Sequence, residues 1–264
     1  RGNYHTSRHS HEHVMGVREG GSVLILGGCG PMGLEAIEYP MTLEKKPAMI
    51  VVTDLSEERI ARARRLIPES LAAARGIRLV YINSGECSDE FAELMALTGG
   101  RGYDDIFVYN AIRSLAELGD RLLGCDGCMN FFSGPTNKDF SASINLYNCH
   151  YSSTHIIGTT GGTTDDLRES LRLAAEGKIR PAVMVTHVGG MDSIVETTKN
   201  LPHLSGGKKL AYTQFDMPLT AIEDFREKGR TDPLFARLAD CCDAHDGLWN
   251  SEAEKILFKH FGVL

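Results

Sequence analysis

The chain has 264 residues, of which 42% are hydrophobic and 24% are charged, so it can bury an ordinary core as one large domain or one domain with an appendage. Its 35 acidic residues outnumber 28 lysines and arginines, and the net charge of -7 argues against binding to nucleic acid or an anionic membrane. The longest apolar runs fall well short of the roughly 18 residues that a membrane-spanning helix requires.

The cysteines and the N-terminus indicate where the protein resides and whether the chain is a fragment. The seven cysteines are scattered along the chain, which argues against a disulfide scaffold and favours a reducing cytoplasm. Residues 1–13 are polar and do not resemble a signal peptide. Because the chain opens with Arg1 rather than methionine, we expect an upstream part to be absent.

Short apolar runs alternate with helical patterns through the first 162 residues. The predicted strands are 22–26, 48–53, 79–82, 105–109, 128–132 and 155–157. Helices are predicted at 31–39, from an N-cap at Ser56 to Leu66, from an N-cap at Ser88 to about Thr98, and near the capping-box pair Ser114 and Glu117. Apolar strands separated by helices predict a parallel sheet covered on both faces and doubly wound.

The pattern after Gly162 is less regular. A helix is predicted at 165–176, strands at 183–188 and 209–213, and helices at 219–227 and 233–244. A capping box formed by Ser251 and Glu254 is predicted to open a last helix. This half of the chain reads as a mostly helical appendage.

A glycine motif joins the first predicted strand to the first helix. Gly28, Gly30 and Gly33 fit GxGxxG, with Pro31 and Met32 between the second and third glycines. We expect Gly28 to allow the tight turn, Gly30 to let the backbone approach a pyrophosphate, and Gly33 to let helix and strand pack closely. The helix N-terminus then offers free N–H groups to the phosphates.

An acidic residue follows at the distance that dinucleotide binding requires. Asp54 ends the second strand, where a carboxylate can hold both ribose hydroxyls and repel a 2′-phosphate, which favours NAD over NADP. Arg59 can stack near the adenosine or neutralise Asp54, or it is an ordinary solvated arginine. Methyltransferases that use S-adenosylmethionine share these signals, although the complete motif and the sixth strand favour a dinucleotide.

These features define the predicted fold class and its division. We predict an α/β protein with a doubly wound parallel Rossmann sheet and a helical C-terminal appendage. Residues 1–20 form an N-terminal connector, 21–162 the NAD(P)-binding Rossmann domain, and 163–264 an α+β, mostly helical segment.

The motifs resemble those of the medium-chain, zinc-type alcohol dehydrogenase superfamily. The resemblance is carried by 25–34 and 52–59, and by 130–135 and 155–162 at the fifth and sixth strands. More narrowly, 185–190 and 205–210 resemble the branch of L-sorbose 1-phosphate reductases. The resemblance covers the chain from about Tyr4 to the C-terminus.

The resemblance implies an enzyme that transfers hydride between a nicotinamide and a sugar phosphate or polyol. It also implies that the catalytic zinc lies in an N-terminal domain upstream of this chain, so we predict no metal ligands here and assign no catalytic residue. By matching position, the residues near the nicotinamide half are Asn110, Arg113, Ser133, Gly134, Gly158 and Thr159. The alternative is a free-standing NAD(H)-binding or sensing module without catalysis.

Other patterns have competing interpretations. His5, His9, His11 and His13 can bind zinc or nickel, although a flexible polar connector is the preferred interpretation. In the pair Cys125 and Cys128, residues 126–127 read as a turn and Cys128 as a core residue; of Cys241 and Cys242, at least one should be buried. Residues 206–209 either contact a phosphate or form a turn into a strand.

An edge of the predicted sheet suggests self-association. The sixth strand leaves unpaired backbone groups, and the apolar run 181–185 can cover it or pair with a second copy. The resembled superfamily associates in this way. We therefore expect a homodimer, unless that run folds back as an ordinary strand within one chain.

Overall fold

The computed structural model describes residues 3–6 and 13–264. The chain divides into two compact units, the first ending at Ile179 and the second being Arg180–Leu264. This division falls later than the boundary predicted after Gly162, so the helix at 164–175 belongs to the first unit.

The described residues form eleven strands and eleven α-helices. The strands are β1 (Tyr4–Thr6), β2 (His13–Met15), β3 (Ser22–Leu26), β4 (Met49–Asp54), β5 (Arg78–Asn83), β6 (Tyr103–Val108), β7 (Leu123–Phe131), β8 (His155–Gly158), β9 (Val185–Gly189), β10 (Lys208–Ala211) and β11 (Thr220–Ala221). The helices are α1 (Pro31–Glu38), α2 (Glu57–Leu66), α3 (Glu69–Ala73), α4 (Glu90–Leu97), α5 (Arg113–Leu122), α6 (Leu146–Tyr151), α7 (Thr164–Ala175), α8 (Ile194–Asn200), α9 (Phe225–Lys228), α10 (Pro233–Asp243) and α11 (Ser251–His260). Short 3₁₀ helices occur at Tyr39–Thr42, Pro181–Met184, Met191–Ser193, Leu201–His203 and Ile222–Asp224.

The first unit is built on a six-stranded parallel sheet. Its strand order is β5-β4-β3-β6-β7-β8, which confirms the predicted doubly wound Rossmann topology. Residues Val23 to Leu26 of β3 and Ile50 to Val52 of β4 are completely buried, as apolar strands covered on both faces must be. The strand order reverses between β3 and β6, so the crevice for a ligand lies at the carboxyl ends of these strands.

Three predicted helix caps are wrong. In two helices the residue next to the predicted one is the N-cap, and in the third no side chain caps the helix. Asp89 caps α4 by accepting from the Ala92 N–H at 3.0 Å, in place of Ser88. Asn250 caps α11 in place of Ser251. Helix α5 begins at Arg113 without a side-chain cap, because its N-cap residue is Ile112, and the Glu117 carboxylate accepts the Ser143 N–H.

The described residues of the N-terminal segment form two short strands. β1 pairs with β2 in antiparallel register, and His5 is buried against the sheet. Its ring nitrogens lie 3.0 Å from Asp105 Oδ1 and 2.8 Å from the carbonyl oxygen of Asp126. The flexible-connector interpretation is therefore wrong for His5. His9, His11 and the side chain of His13 lie outside the described residues.

The second unit contains a three-stranded sheet of order β10-β9-β11 with helices α8 to α11. Its core includes Tyr212, Phe225 and Trp249. The predicted strand at 183–188 begins only at Val185, because Pro181–Met184 forms a 3₁₀ turn. The helix predicted at 219–227 is replaced by β11, a 3₁₀ turn and the short α9, since Thr220 and Ala221 pair with β9.

The sequence predicts that the chain contains no membrane-spanning helix. Within the described ranges, none of the helices combines the length and apolar character needed to cross a bilayer.

Candidate nucleotide-binding site

The glycine motif forms the loop between β3 and α1. Gly30 is the N-cap of α1, and Pro31 occupies the first helical turn, where its missing N–H is not needed. A Cβ built on Gly30 would meet no atom within 4 Å. The space that a phosphate needs beside this helix N-terminus is therefore open, while Met32 is partly exposed beside it.

Gly28 and Gly33 hold the loop against the sheet. A Cβ on Gly33 would lie 2.0 Å from the Gly28 carbonyl oxygen, so only glycine fits there. A Cβ on Gly28 would lie 2.6 Å from Ile25 and 2.8 Å from Val52. Gly28 lies in the turn at 27–29, as predicted, and its neighbour Gly27 carries the positive φ of 69° in that turn.

Asp54 lies at the carboxyl end of β4, beside the glycine loop. Its carboxylate is almost completely buried and accepts the Cys29 N–H at 3.2 Å and the Ser56 N–H at 3.1 Å. Arg59 donates to Asp54 Oδ1 from Nε at 3.0 Å and from a terminal nitrogen at 2.6 Å. The structure thus brings Asp54 and Arg59 together with the loop, and the neutralising role considered for Arg59 is the one it has here.

The residues predicted near the nicotinamide follow β6, β7 and β8 at the same edge of the sheet. Asn110 contacts the loop closely, since a Cβ on Gly27 would lie 2.2 Å from its Nδ2. Arg113 is the first residue of α5 and is exposed, as are Gly134 and Gly158. Of these positions, Asn110 follows β6, which lies at the reversal of strand order.

Ser133 carries an unsatisfied polar atom at this edge. It is 7% exposed, and its hydroxyl oxygen has no hydrogen-bond partner among the described residues. Thr159, in contrast, already donates to Asn130 Oδ1 at 3.1 Å, a partner that the sequence did not indicate. A buried hydroxyl without a partner is rare in proteins, so Ser133 is suited to a ligand group. The unpartnered Ser133 hydroxyl and the open space at Gly30 are both features that a bound nucleotide could occupy.

Three of the cysteines, Cys29, Cys128 and Cys242, are buried. Burial, aided by the Asp54 charge, raises the pKa of the Cys29 thiol to about 12. Cys128 is fully buried and Cys242 nearly so, which confirms both as core residues. The turn predicted at 126–127 is wrong, because β7 continues through it with Asp126 at φ 58°.

Residues 206–209 form a turn into β10. Gly206 has φ 80°, and the Lys209 ammonium donates to the carbonyl oxygens of Ser205 at 2.6 Å and Gly207 at 2.8 Å. These contacts account for the lysine within the loop itself. A phosphate contact at this turn stays a prediction.

A polar network anchors the N-terminal strands to the amino-end region of β6, β7 and β8. Burial opposes protonation of His5, but its hydrogen bond to the Asp105 carboxylate and that negative charge outweigh burial and raise the pKa of His5. Burial likewise disfavours ionised Asp126, yet hydrogen bonds from His155 and Thr6 lower the pKa of Asp126, with the Arg18 charge adding to them. The network thus joins paired charges at the opposite edge from the glycine loop.

A cavity of about 1100 Å³ opens beside this network. Its walls include Val14, Arg18, Tyr39 and Tyr109. None of the predicted cofactor residues lines it. The nucleotide assignment therefore rests on the loop and the strand ends, and not on this cavity.

The fold and the glycine loop define a nucleotide-binding domain of the Rossmann type. The sequence profile of the zinc-binding dehydrogenases matches residues 31–176, more than half of the chain. The chain belongs to the zinc-binding dehydrogenase family. This membership confirms the resemblance to zinc-type alcohol dehydrogenases and removes the methyltransferase alternative.

Three curated relatives match almost the whole chain. Protein YggP of Escherichia coli (strain K12) is 51% identical over 99% of this chain and 61% of its own. Mannitol-1-phosphate 5-dehydrogenase of Aliivibrio fischeri is 47% identical over 98% of this chain and 62% of its own, and L-sorbose 1-phosphate reductase of Klebsiella pneumoniae is 43% identical over 98% and 60%. The chain thus spans about three fifths of the length of these relatives.

Solved structures confirm the fold. 2R,3R-butanediol dehydrogenase of Bacillus subtilis superposes with a TM-score of 0.60 at 22% identity, covering 75% of this chain and 52% of that chain. Benzyl alcohol dehydrogenase of Acinetobacter calcoaceticus gives 0.59 at 18% identity, covering 74% and 50%. At these identities, the likeness speaks for the fold alone.

Proposed function

We propose that this chain is the NAD(H)-binding part of an oxidoreductase that acts on a sugar phosphate or polyol. The observation that carries the proposal is the glycine loop, with open space at Gly30 and the buried Asp54 carboxylate beside it. Phosphates placed at the N-terminus of α1 would meet free N–H groups and the positive end of the helix dipole. The two relatives named for mannitol 1-phosphate and L-sorbose 1-phosphate support the substrate class.

Asp54 supports NAD over NADP. Its carboxylate accepts from backbone N–H groups on both sides and so has a fixed position at the end of β4. Ribose hydroxyls can donate to such a carboxylate, whereas a 2′-phosphate would be repelled by it. Arg59 would remain within reach of the ribose side and keep the buried carboxylate neutralised when no nucleotide is bound.

The residues that follow β6, β7 and β8 support placing the nicotinamide half of the dinucleotide beside the ends of these strands. When bound, the nicotinamide would supply the hydride donor or acceptor. Ser133 would offer its free hydroxyl, and the exposed Gly134 and Gly158 would let the ring or ribose lie against backbone. Thr159 would be held by Asn130. We assign no catalytic residue in this chain, and we expect the catalytic zinc of the family to be held outside it.

The reaction is tested on the complete natural gene product, because the relatives are longer than this chain. The assay follows the absorbance of reduced nicotinamide with NAD plus mannitol 1-phosphate, and with NADH plus L-sorbose 1-phosphate. Turnover with either substrate supports the proposal, and a Gly30→Val variant should lose it. A folded protein that binds NADH and turns over neither phosphate nor a free polyol contradicts the enzymatic proposal.

The second candidate function is an NAD(H)-binding or sensing module without catalysis. It draws on the same glycine loop and Asp54 carboxylate, which would suffice for dinucleotide binding alone. Tight NADH binding without turnover in the complete gene product would support it. Binding alone therefore does not separate the two functions, and the turnover assay does.

We further propose that the protein is a homodimer that pairs through β8. Among the described residues, β8 is an edge strand of the six-stranded sheet, and Ile156 on it is 38% exposed. The run 181–185 is not a pairing edge as considered from the sequence, because β9 has β10 on one side and β11 on the other. Two β8 strands related by a two-fold axis would extend the sheet across both copies.

A further inference from the structure

Three metal-donor side chains converge in the second unit, where α10 ends and α11 begins. Cys241 lies in the last turn of α10, His245 follows the helix, and Glu252 lies in the first turn of α11. One donor atom from each, a thiol sulfur, a ring nitrogen and a carboxylate oxygen, lies within 4.8 Å of the other two. Donors around one tetrahedral zinc ion are about 3.3–3.8 Å apart, so side-chain shifts of roughly 1 Å would close the site.

The backbone holds these donors on a short, well-defined turn. The His245 N–H and the Gly247 N–H both donate to the Cys242 carbonyl oxygen, at 2.9 and 2.8 Å. Cys242 and Ala253 point into the core and are almost completely buried. The donor residues next to them are therefore fixed at the surface end of a packed helix pair.

The hydrogen bond of His245 matches one that orients metal ligands. Nδ1 of His245 lies 2.8 Å from the Cys241 carbonyl oxygen, which in the neutral ring leaves the other nitrogen with a free lone pair. Metal-binding histidines commonly donate their second ring N–H to a backbone carbonyl in this way. The Cys241 thiol donates to Asn250 Oδ1 at 3.4 Å, and metal binding would replace this hydrogen bond. The same Asn250 oxygen accepts the N–H groups of Glu252 and Ala253.

The chemistry of the donors selects the kind of cation. A thiolate, a neutral imidazole and a carboxylate carry two negative charges, which balance a divalent ion. Sulfur and nitrogen donors suit zinc and are poor ligands for Mg²⁺ and Ca²⁺. His245 and Glu252 are exposed, so a hydrated ion can reach them from solvent.

We propose that Cys241, His245 and Glu252 bind one Zn²⁺ ion per chain and so join the end of α10 to the start of α11. Three protein ligands leave a fourth position for water. The proposal is independent of the nucleotide-binding function. Without a metal, the Cys241 thiol donates a hydrogen bond to Asn250. The experiment distinguishes a metal-bound Cys241 from this hydrogen-bonded thiol.

The test uses the 264-residue chain, purified without metal-affinity resin, stripped with a chelator and titrated with Co²⁺ and then Zn²⁺. A thiolate-to-cobalt absorption band should saturate at one Co²⁺ per chain and disappear when Zn²⁺ is added. Cys241→Ser should abolish the band. His245→Gln and Glu252→Gln should each weaken binding at least tenfold, and Zn²⁺ should raise the melting temperature of the wild-type chain only.

Two matched controls guard against other donors. Cys125→Ser removes an exposed cysteine in the first unit and should leave the band unchanged. Substituting His9, His11 and His13 by glutamine should also leave it unchanged, because these histidines carry no thiolate. A folded chain without the band, or a band that persists in Cys241→Ser, overturns the proposal. If Cys241→Ser fails to fold, retention of the full Co²⁺ affinity in folded His245→Gln overturns it equally.

Discussion

Gly30 and Gly33 belong to the same loop, yet a side chain at each would meet different surroundings. A Cβ at Gly30 points into open space, and its φ of -77° suits any residue. A Cβ at Gly33 would overlap the Gly28 carbonyl oxygen. The two positions therefore separate ligand binding from folding.

We predict that Gly30→Val lowers NADH affinity at least tenfold, about 1.4 kcal/mol, while the free energy of unfolding changes little. Valine would fill the space that a pyrophosphate needs. Gly33→Ala should instead destabilise the protein by about 1–3 kcal/mol, because the backbone must move to relieve the overlap. Fluorescence titration and urea unfolding of both variants measure this. Full NADH affinity in folded Gly30→Val would refute the phosphate-loop assignment.

At the same residue scale, we expect His5 to make the stability of the fold depend on pH. Its pKa is raised by Asp105, with Asp126 and Arg18 also facing the ring. A raised folded-state pKa means that the stabilisation is complete below the unfolded value of about 6.5 and is lost as pH rises through the folded value.

We therefore predict that the stability advantage of wild-type over His5→Gln decreases as pH rises above about 6.5. Urea unfolding at a series of pH values measures it. The exposed His260→Gln variant is the control and should follow the wild type. An advantage that stays constant or grows with pH would show that protonated His5 does not stabilise the fold.

At the scale of elements, the sequence predicted the strands of the sheet better than the caps and short strands. β3 and β4 are long apolar runs, so their burial is visible in composition alone. Caps depend on which neighbouring polar side chain reaches the N–H groups, and Asp89 lies only one residue from Ser88. The three residues of β1 are too few for periodicity, and the buried position of His5 depends on Asp105, a hundred residues away.

Some residues of the candidate site could likewise be predicted from the sequence, and others could not. The glycine loop and Asp54 were predictable because their spacing follows from one strand, one turn and one helix. The free hydroxyl of Ser133 and the Thr159–Asn130 contact were not, since both depend on neighbouring strands brought together by the sheet. The Cys241, His245 and Glu252 group was missed because it joins two helices through a turn.

The proposed pairing of two copies through the edge strand β8 can be tested by a single charged substitution. Ile156→Lys should dissociate a dimer that pairs through β8, because two added charges would face each other across the two-fold axis. Val195→Lys, on an exposed position of α8, is the matched control and should leave the dimer intact. Sedimentation at several micromolar concentrations measures both. A monomeric wild type, or a dimer that persists in folded Ile156→Lys, rejects the β8 interface.

At the scale of the whole molecule, the chain combines a nucleotide-binding sheet with a smaller unit built from strands and helices. Two of its relatives are named mannitol-1-phosphate 5-dehydrogenase and L-sorbose 1-phosphate reductase. The chain spans about three fifths of the length of the curated relatives it matches. The proposed function depends first on which nicotinamide dinucleotide this sheet binds, and we propose that Asp54 favours NAD.

The most direct measurement is a fluorescence titration of the 264-residue chain with NADH and NADPH under identical conditions. We predict clearly tighter binding of NADH, at least tenfold, because the fixed Asp54 carboxylate accepts ribose hydroxyls and repels a 2′-phosphate. Asp54→Asn should reduce that preference by weakening NADH binding and relieving the repulsion of NADPH. Equal or tighter binding of NADPH by the wild-type chain would contradict the central claim.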